Sequence, residues 1–569
     1  MFDKEYLDRI AAERKRWEEG PLASALKRFG VKESPNRFCT HLDIAGHNFL
    51  QKVGFPGQYP FTASEYAFPG PAEARGSLMS PRAGIYSGYG TAEDTRDLWR
   101  SQRRRGANVA FDLPTQIGYD SDHPMARGEV GKLGVAVDTL RDMEILYEAF
   151  QGVTTLDRMS SNFTINAPAV VILAMYLVLA DEQGVPYDKL IATPQNDILK
   201  EFVARGTYIF PPRPSMRLTR DTIAFCTKHA PRINTVSING SHMREAGATA
   251  AQELALAFSH AIAYGNLGLE AGLKPEEFLP RFTIRFTSGS MEFFREIARA
   301  RAARRMWARL VKERFHTDNP RCMLMRDASN IGVGRYTLTT QRLLNNLTRG
   351  VIGGVLNALS GGDGFPGFPY DEPLGLGHSL EGWQLSIDAA RIIRHEAKLC
   401  DVIDPLAGSY YVESLTDEVE AEAQKILDTI DDIGGAVAAI ESGYTQREIA
   451  KSAYEFQRKV ETGEVVIVGV NRFTGESELE VTTTRLVDHP YDPARREAAE
   501  AKQLAKLAEI KRVRDSRQVK RCLKEVRRVA RTDDNIMPAT IEAVKAYATV
   551  GEVCDVLREV FGEYEPAAY

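Results

Sequence analysis

Cysteine is scarce in this chain, six residues in 569, and none of them (Cys39, Cys226, Cys322, Cys400, Cys522, Cys554) stands in a CxxC pair. That spacing argues against a disulfide framework or a zinc site and for a reducing compartment. Charge of one sign is lacking too: 72 Lys and Arg against 77 Asp and Glu leave a net −5, which demands no nucleic-acid partner. No window approaches the ~20 apolar residues of a membrane span. The first segment, MFDKEYLDRIAAERKRWEEG, is charged throughout and has no apolar stretch of the secretory kind. The expectation is a cytoplasmic protein with no membrane and no nucleic acid to bind.

Common catalytic machineries are missing as well. There is no P-loop and no GxSxG elbow, and His395-Glu396 has no second histidine at zincin spacing. Gly362, Gly364 and Gly367 fit GxGxxG, but Pro366 lies inside the motif and no clear helix opens after it, so a dinucleotide site is not supported.

What is present is an ordinary globular composition, 43% hydrophobic and 26% charged. Residues 1–53 read as an amphipathic N-terminal arm, helical from 3 to 28 and ending at Gly30. Residues 54–90 are rich in Gly, Pro and aromatics, a long loop whose aromatic content favours order around a ligand. Then β-rich runs (NVAFDLPT, MSSNFTIN, KLIATPQ, INTVSING, RFTIRFTSG, CMLMRDASN) alternate with helical segments such as AVVILAMYLVLADEQG. This alternation predicts an α/β fold, a (β/α)8 TIM barrel over 54–400. Residues 401–569 read as a mostly helical C-terminal region with VVIVGVNRF as one strand, and the Lys/Arg-rich run at 511–531 reads as a solvated helix face.

Polar residues cluster at the C-terminal ends of the β-rich runs: Asp112, Asn162, Thr164, Gln195, His242, Ser288 and Asn330. In a barrel these ends share one mouth. Amides, hydroxyls, one histidine and a few arginines hold polar ligands well and do acid-base work poorly on their own. A lone histidine at a strand end is more often structural than functional, and periodicity alone makes Arg205 a helix-end surface charge. The residues by themselves leave a barrel enzyme and a binding protein both open.

The blocks AFDLPTQIGYDSDHP, TPQNDILKEFVARGTYIFPPRPSMR, SINGSHMREAGATA, RAARRMWARL and DVIDPLAGSYYVESL resemble the large, substrate-binding chain of the adenosylcobalamin-dependent acyl-CoA mutases, the methylmalonyl-CoA mutase family. The resemblance covers about 50 to 475. It implies a barrel with coenzyme A along its axis and cobalamin across its mouth, where a deoxyadenosyl radical starts a 1,2-migration of the thioester group. Position by position, it implies that His242 bonds the thioester carbonyl and Arg205 grips a substrate carboxylate. Thr164, Thr193, Gln195, Arg281 and Thr283 fall at positions lining the acyl-CoA path, Glu372 at a carboxylate touching the adenosyl ribose, and Tyr86 at a tyrosine that wedges the adenosyl group off cobalt.

The departures from the family pattern carry information too. The segment from Tyr66 to Thr91 is several residues longer than in relatives; Asn330-Ile331-Gly332 replaces a His-Ser-Gln loop, Arg285 a Phe, and Ser241 a Tyr. The resemblance thus places Asn330 on the cofactor side and Arg285 on the substrate side, and smaller groups suggest an acyl chain bulkier than methylmalonyl, an aryl-substituted one included. Arg205, where monocarboxylyl relatives have Gln, and Ala110, where 2-hydroxyacyl relatives have Asp, favour a dicarboxylyl-CoA substrate, since a cation without an anion is costly in a dry site. The family's DxHxxG cobalt-ligand motif does not occur, so a separate small cobalamin-binding subunit is expected, two large chains with two small ones. The alternatives are a mutase for isobutyryl- or 2-hydroxyisobutyryl-CoA and a non-catalytic acyl-CoA-binding or assembly protein.

Overall fold

Short runs with apolar residues at alternate positions pair as parallel strands. The computed structural model describes residues 3–34, 37–67, 88–326, 331–375, 379–475 and 492–566. Its strands are β1 (Ala107–Ala110), β2 (Ser160–Thr164), β3 (Ile191–Pro194), β4 (Val236–Asn239), β5 (Phe282–Arg285), β6 (Ser288–Gly289) and β7 (Gly332–Val333). The pairs β1–β2–β3, β4–β5 and β6–β7 are all parallel. Backbone bonds extend these ladders: Asn234 N to Ala192 O at 2.8 Å and Ser237 N to Gln195 O at 2.8 Å join β3 to β4, and Val333 N to Pro366 O at 3.3 Å carries β7 onward. Asp112 N to Val135 O at 3.0 Å adds a bridge outside β1. Parallel neighbours require crossovers, and helices Leu140–Tyr147, Ala169–Glu182, Pro212–His229, Ala250–Glu270, Phe293–Phe315 and Asn345–Leu359 supply them. The fold is α/β in the order of a (β/α)8 barrel; among the described residues no ladder closes the ring.

Helix Ala169–Glu182 buries twelve of its residues, Ala169 through Ala180; it packs against helices Leu140–Tyr147, Pro212–His229, Ile536–Lys545 and Val550–Phe561, and its Tyr176 meets Phe163 of β2. Helix Phe293–Phe315 is less expected, because its arginines point inward. Arg299 pairs with Glu253 and with Glu296 at 2.7 Å, and Arg301 pairs with Asp404 and with Glu413 at 2.5 Å. Arg304 donates to Thr62 O at 2.7 Å and Ser360 O at 2.9 Å. Buried cations need such partners, so the RAARRMWARL block ties the outer helix to four distant segments.

The arm forms helix Lys4–Trp17 and helix Ala23–Phe29, closed by Gly30 at φ 67°. Behind it Lys52 pairs with Asp417 at 3.0 Å and His41 meets the Tyr410 hydroxyl at 2.6 Å. Past residue 401 the described residues are mostly helical, and the largest hydrophobic cluster runs from Phe61 to Leu557. Helix Ser516–Ala530 buries Val519, Cys522, Val526 and Val529 and turns its basic residues outward. All six cysteines are free, and no helix among the described residues is long and apolar enough to cross a membrane.

Three sequence expectations are corrected. VVIVGVNRF is a turn with one isolated bridge, Val468 to Arg472. Gly469 at φ 82° reverses the chain there, and Asn471 caps it by accepting from Ile467 N at 2.7 Å. The run CMLMRDASN begins inside a helical turn, Pro320–Met323, nucleated by Pro320 and by the Asn319 cap on Arg321 N at 3.0 Å. RFTIRFTSG divides into β5 and β6 around Phe286 and Thr287.

Candidate functional site

The strands present two unlike faces. Val109, Phe163, Ala192, Ile238 and Ile284 are buried against helices. Their alternates are polar or small: Asn108 and Ala110 on β1, Asn162 and Thr164 on β2, Thr193 on β3, Ser237 and Asn239 on β4, Thr283 and Arg285 on β5. Asn108, Asn162 and Arg285 are exposed, and Ala110, Thr164, Thr193 and Asn239 are half-buried. A barrel interior is ordinarily a packed core of bulky side chains. Here the inner alternation supplies hydroxyls and amides, of which Asn108, Asn162, Thr164, Thr193 and Asn239 keep accessible surface while Ser237 and Thr283 are buried.

Along this face the predicted residues fall at different depths. Arg281 precedes β5, at the strands' N-terminal end, beside Arg326, Arg321 and Arg232; burial first and then these three cations lower its pKa. Arg326 Nη1 donates to Asn234 Oδ1 at 2.8 Å, and Asn234 Nδ2 to Thr193 Oγ1 at 2.9 Å. Thr283 donates to Ser237 Oγ at 2.8 Å across the β4–β5 register pair. Thr164, Gln195, His242 and Arg285 stand at or just beyond the C-terminal ends of β2, β3, β4 and β5.

His242 is the second residue of the short helix Ser241–Glu245, which begins directly after Gly240. A Cβ on Gly240 would lie 2.7 Å from Phe286 Cδ1, so glycine is what lets the Phe286 ring pack this close to the chain. The helix is pinned by Arg244, whose guanidinium meets Glu296 at 2.6 Å and the Tyr336 hydroxyl at 3.1 Å. Ser241 Oγ lies 2.6 Å from Thr287 Oγ1 and accepts from Thr287 N at 2.9 Å, so the small residue is tied to the β5–β6 link. Burial first, then the Lys200 and Arg205 cations, lower the His242 pKa to about 3. The ring is neutral, and its buried Nδ1 has no hydrogen-bond partner.

Arg205 ends the wide helical turn Glu201–Arg205, closed by Gly206 at φ 84°. Its buried Nη1 likewise has no hydrogen-bond partner and lies 3.6 Å from Glu201 Oε1. Gln195 accepts at Oε1 from Asn166 Nδ2 at 3.0 Å. Glu372, at the start of the turn Glu372–Leu374, pairs with Arg335 at 2.6 Å. Arg335 is also among the cations that lower the His242 pKa. Tyr86 and Asn330 lie outside the described residues.

The sequence reading passed over Asn108, Asn234, Ser237 and Asn239, although the polar alternates of NVA and VSIN were visible in it. Arg244 and Glu296 carried no signal, because a buried ion pair between two helices looks on paper like two surface charges.

The family model for methylmalonyl-CoA mutase matches residues 33–563. The chain belongs to the methylmalonyl-CoA mutase family. It is 36% identical over 568 residues to the 2-hydroxyisobutanoyl-CoA mutase large subunit of Aquincola tertiaricarbonis, covering 98% of this chain and 97% of that protein. It is 38% identical over 482 residues to the methylmalonyl-CoA mutase of Escherichia coli, and 36% over 514 residues to the human mitochondrial one. The chain spans about two thirds of the length of those two mutases, 65% and 66%. The family is adenosylcobalamin-dependent in general. Among the described residues of this mutase-family chain, no group of three His, Cys, Asp or Glu side chains is disposed to hold a metal ion.

Proposed function

We propose that this chain is the substrate-binding subunit of an adenosylcobalamin-dependent mutase that interconverts branched, malonyl-type and linear, succinyl-type dicarboxylyl-CoA esters. The observation that carries the reading is the polar inner face running from the Arg281 cluster to His242 and Arg205. Four clustered arginines suit the phosphates of coenzyme A. Thr193, Asn234, Ser237 and Thr283 line the way for the pantetheine chain, and at the far end two buried nitrogens make no hydrogen bond. Leaving a buried polar atom without a hydrogen bond costs about 1–3 kcal/mol, so His242 Nδ1 and Arg205 Nη1, the latter 3.6 Å from Glu201 but not hydrogen-bonded to it, favour a ligand that bonds them.

The residues then do positioning. His242, neutral, bonds the thioester carbonyl oxygen with one ring nitrogen; Arg205 holds the free carboxylate; Gln195 and Thr164 flank the acyl group. Ser241, drawn toward Thr287, leaves the space for an acyl chain bulkier than methylmalonyl. When bound, adenosylcobalamin supplies the radical that removes a hydrogen from the acyl group, and burial by the protein keeps water from it. On this side Glu372 offers a carboxylate to ribose hydroxyls, while cobalt ligation falls to a small cobalamin-binding subunit, in a complex of two large and two small chains. That a full-length relative carries the name large subunit supports such a partner. Six free cysteines suit a cytoplasmic setting.

The same relative favours a second reading, a monocarboxylyl-CoA mutase of the 2-hydroxyisobutanoyl type. Arg205 and Ala110 stand against it. The two separate on reconstitution with adenosylcobalamin, a cobalamin-binding small subunit and a panel of CoA thioesters. Turnover of a dicarboxylyl ester, aryl-substituted or not, with Arg205→Gln abolishing it, supports the first reading; turnover of 2-hydroxyisobutanoyl-CoA alone supports the second.

A further inference from the structure

Behind the acyl end lies a buried hub that touches two of the proposed substrate residues. The Glu201 side chain has no exposed surface. Its Oε1 takes Asn166 Nδ2 at 2.6 Å and the Lys200 ammonium, and stands 3.6 Å from Arg205 Nη1. Its Oε2 takes Thr207 N at 3.1 Å and the Thr207 hydroxyl. Burial opposes its charge, but Lys200 and Arg205 hold the carboxyl below its ordinary range, so it is ionised.

An ionised carboxylate only accepts, and that fixes the direction of every group around it. Asn166 must turn its NH2 to Glu201, and its Oδ1 consequently accepts from Asp197 N at 2.9 Å. The second hydrogen on Asn166 Nδ2 then reaches Gln195 at 3.0 Å, which must present Oε1. Gln195 is left with Nε2 as the group it can offer a ligand. On the other side, Glu201 stands near Arg205 without forming a hydrogen bond to it, so it steers the guanidinium and leaves its donors available.

We infer that Glu201 and Asn166 are positioning residues that orient Arg205 and Gln195 together as donors, making the acyl pocket selective for substrates that bring acceptor oxygens. This rests on the dicarboxylyl reading above and deepens it, naming what aligns that pocket. Lys200, fully buried beside Glu201, keeps the carboxylate ionised whether or not ligand is present.

The test is calorimetric binding of succinyl-CoA and butyryl-CoA to the full chain, with melting temperatures as a check on folding. Glu201→Gln is expected to weaken succinyl-CoA by about tenfold or more and butyryl-CoA much less. After Arg205→Gln, the same change costs less than about twofold, because coupled residues are not additive. Asn166→Ala, which leaves the Lys200–Glu201 pair intact, is expected to weaken both esters and to lose its effect once Gln195 is alanine. Equal weakening of both esters by Glu201→Gln, or additivity in either cycle, overturns the inference; should Glu201→Gln not fold, the Asn166 and Gln195 cycle decides. A wild-type chain that binds the two esters equally removes the dicarboxylyl reading instead, and the Asn166 and Gln195 cycle on butyryl-CoA still judges the positioning role.

Discussion

Gln503 donates from Nε2 to Asp138 Oδ2 at 2.7 Å across 365 residues of sequence, locking helix Pro493–Val513 onto the loop that follows β1. The same helix places Lys506 2.8 Å from Asp142 and Lys511 3.2 Å from Asp120. Three buried carboxylates thus meet two ammonium groups and an amide at the seam between the C-terminal helices and the strand core.

This seam has a definite response to pH. Burial first, then Asp120 and Asp142, push the Asp138 carboxyl well above its ordinary value of 3.8. A raised acid binds more protons folded than unfolded, so its contribution to stability falls as pH rises from the ordinary carboxylate range through the folded pKa. Asp138→Asn carries no such penalty. Its stability deficit relative to wild type, measured by urea unfolding, is therefore expected to be smaller at pH 8 than at pH 5. A deficit that grew with pH would mean that Lys506 and Lys511 dominate and hold Asp138 ionised.

His242 shows the opposite sign. Its pKa lies at about 3, below the ordinary 6.5, so between these values the unfolded chain binds the extra proton and stability is lost as pH falls. Relative to His242→Phe, wild type is expected to lose up to about 1.4 kcal/mol per pH unit below the ordinary value. Nitrogen NMR of the ring checks this directly: a neutral tautomer persists at pH 5. An imidazolium there contradicts the burial argument and leaves the thioester carbonyl facing a charged ring.

Gly240 is where the strand hands His242 to the mouth. A Cβ would press 2.7 Å from Phe286 Cδ1 and 2.9 Å from Glu253 Cγ. Gly240→Ala is expected to cost about 1–3 kcal/mol, as overpacking does, and to shift His242 enough to weaken thioester binding. Thermal unfolding and acyl-CoA titration check both effects; an unchanged melting temperature refutes the steric claim.

The strand-to-mouth layout was legible because it depends on local pattern. INTVSING alternates, stops at Asn239-Gly240 and delivers His242, and β4 forms there as read. What failed depended on contacts that sequence does not display. VVIVGVNRF has strand composition, yet Gly469 and the Asn471 side chain close it into a turn. The buried partners of Arg299 and Arg301 in helix Phe293–Phe315, namely Glu253, Asp404 and Glu413, come from elsewhere in the chain and leave no trace in local pattern. Arg205 read as a surface charge from periodicity. The burial of its Nη1 without a hydrogen bond appears only once β3 and the turn after it are folded together.

Arg281 supplies a test of ligand direction. It lies at the opposite end of β5 from Arg285, and burial together with Arg326, Arg321 and Arg232 disfavours its charge in the free protein. An anion bound there would relieve that repulsion, and on the proposed reading that anion is a phosphate of coenzyme A, far from the acyl group. Arg281→Ala is expected to weaken every CoA thioester by a similar factor, about tenfold to a hundredfold for a charge-assisted contact, and to reduce the salt dependence of binding. Arg205→Gln is expected to discriminate among esters, since the proposed reading puts it at the acyl end. The two effects are expected to add, because the sites lie at opposite ends of the strands and share no partner. If Arg281→Ala instead changed the ranking of esters, coenzyme A would have to enter from the other end.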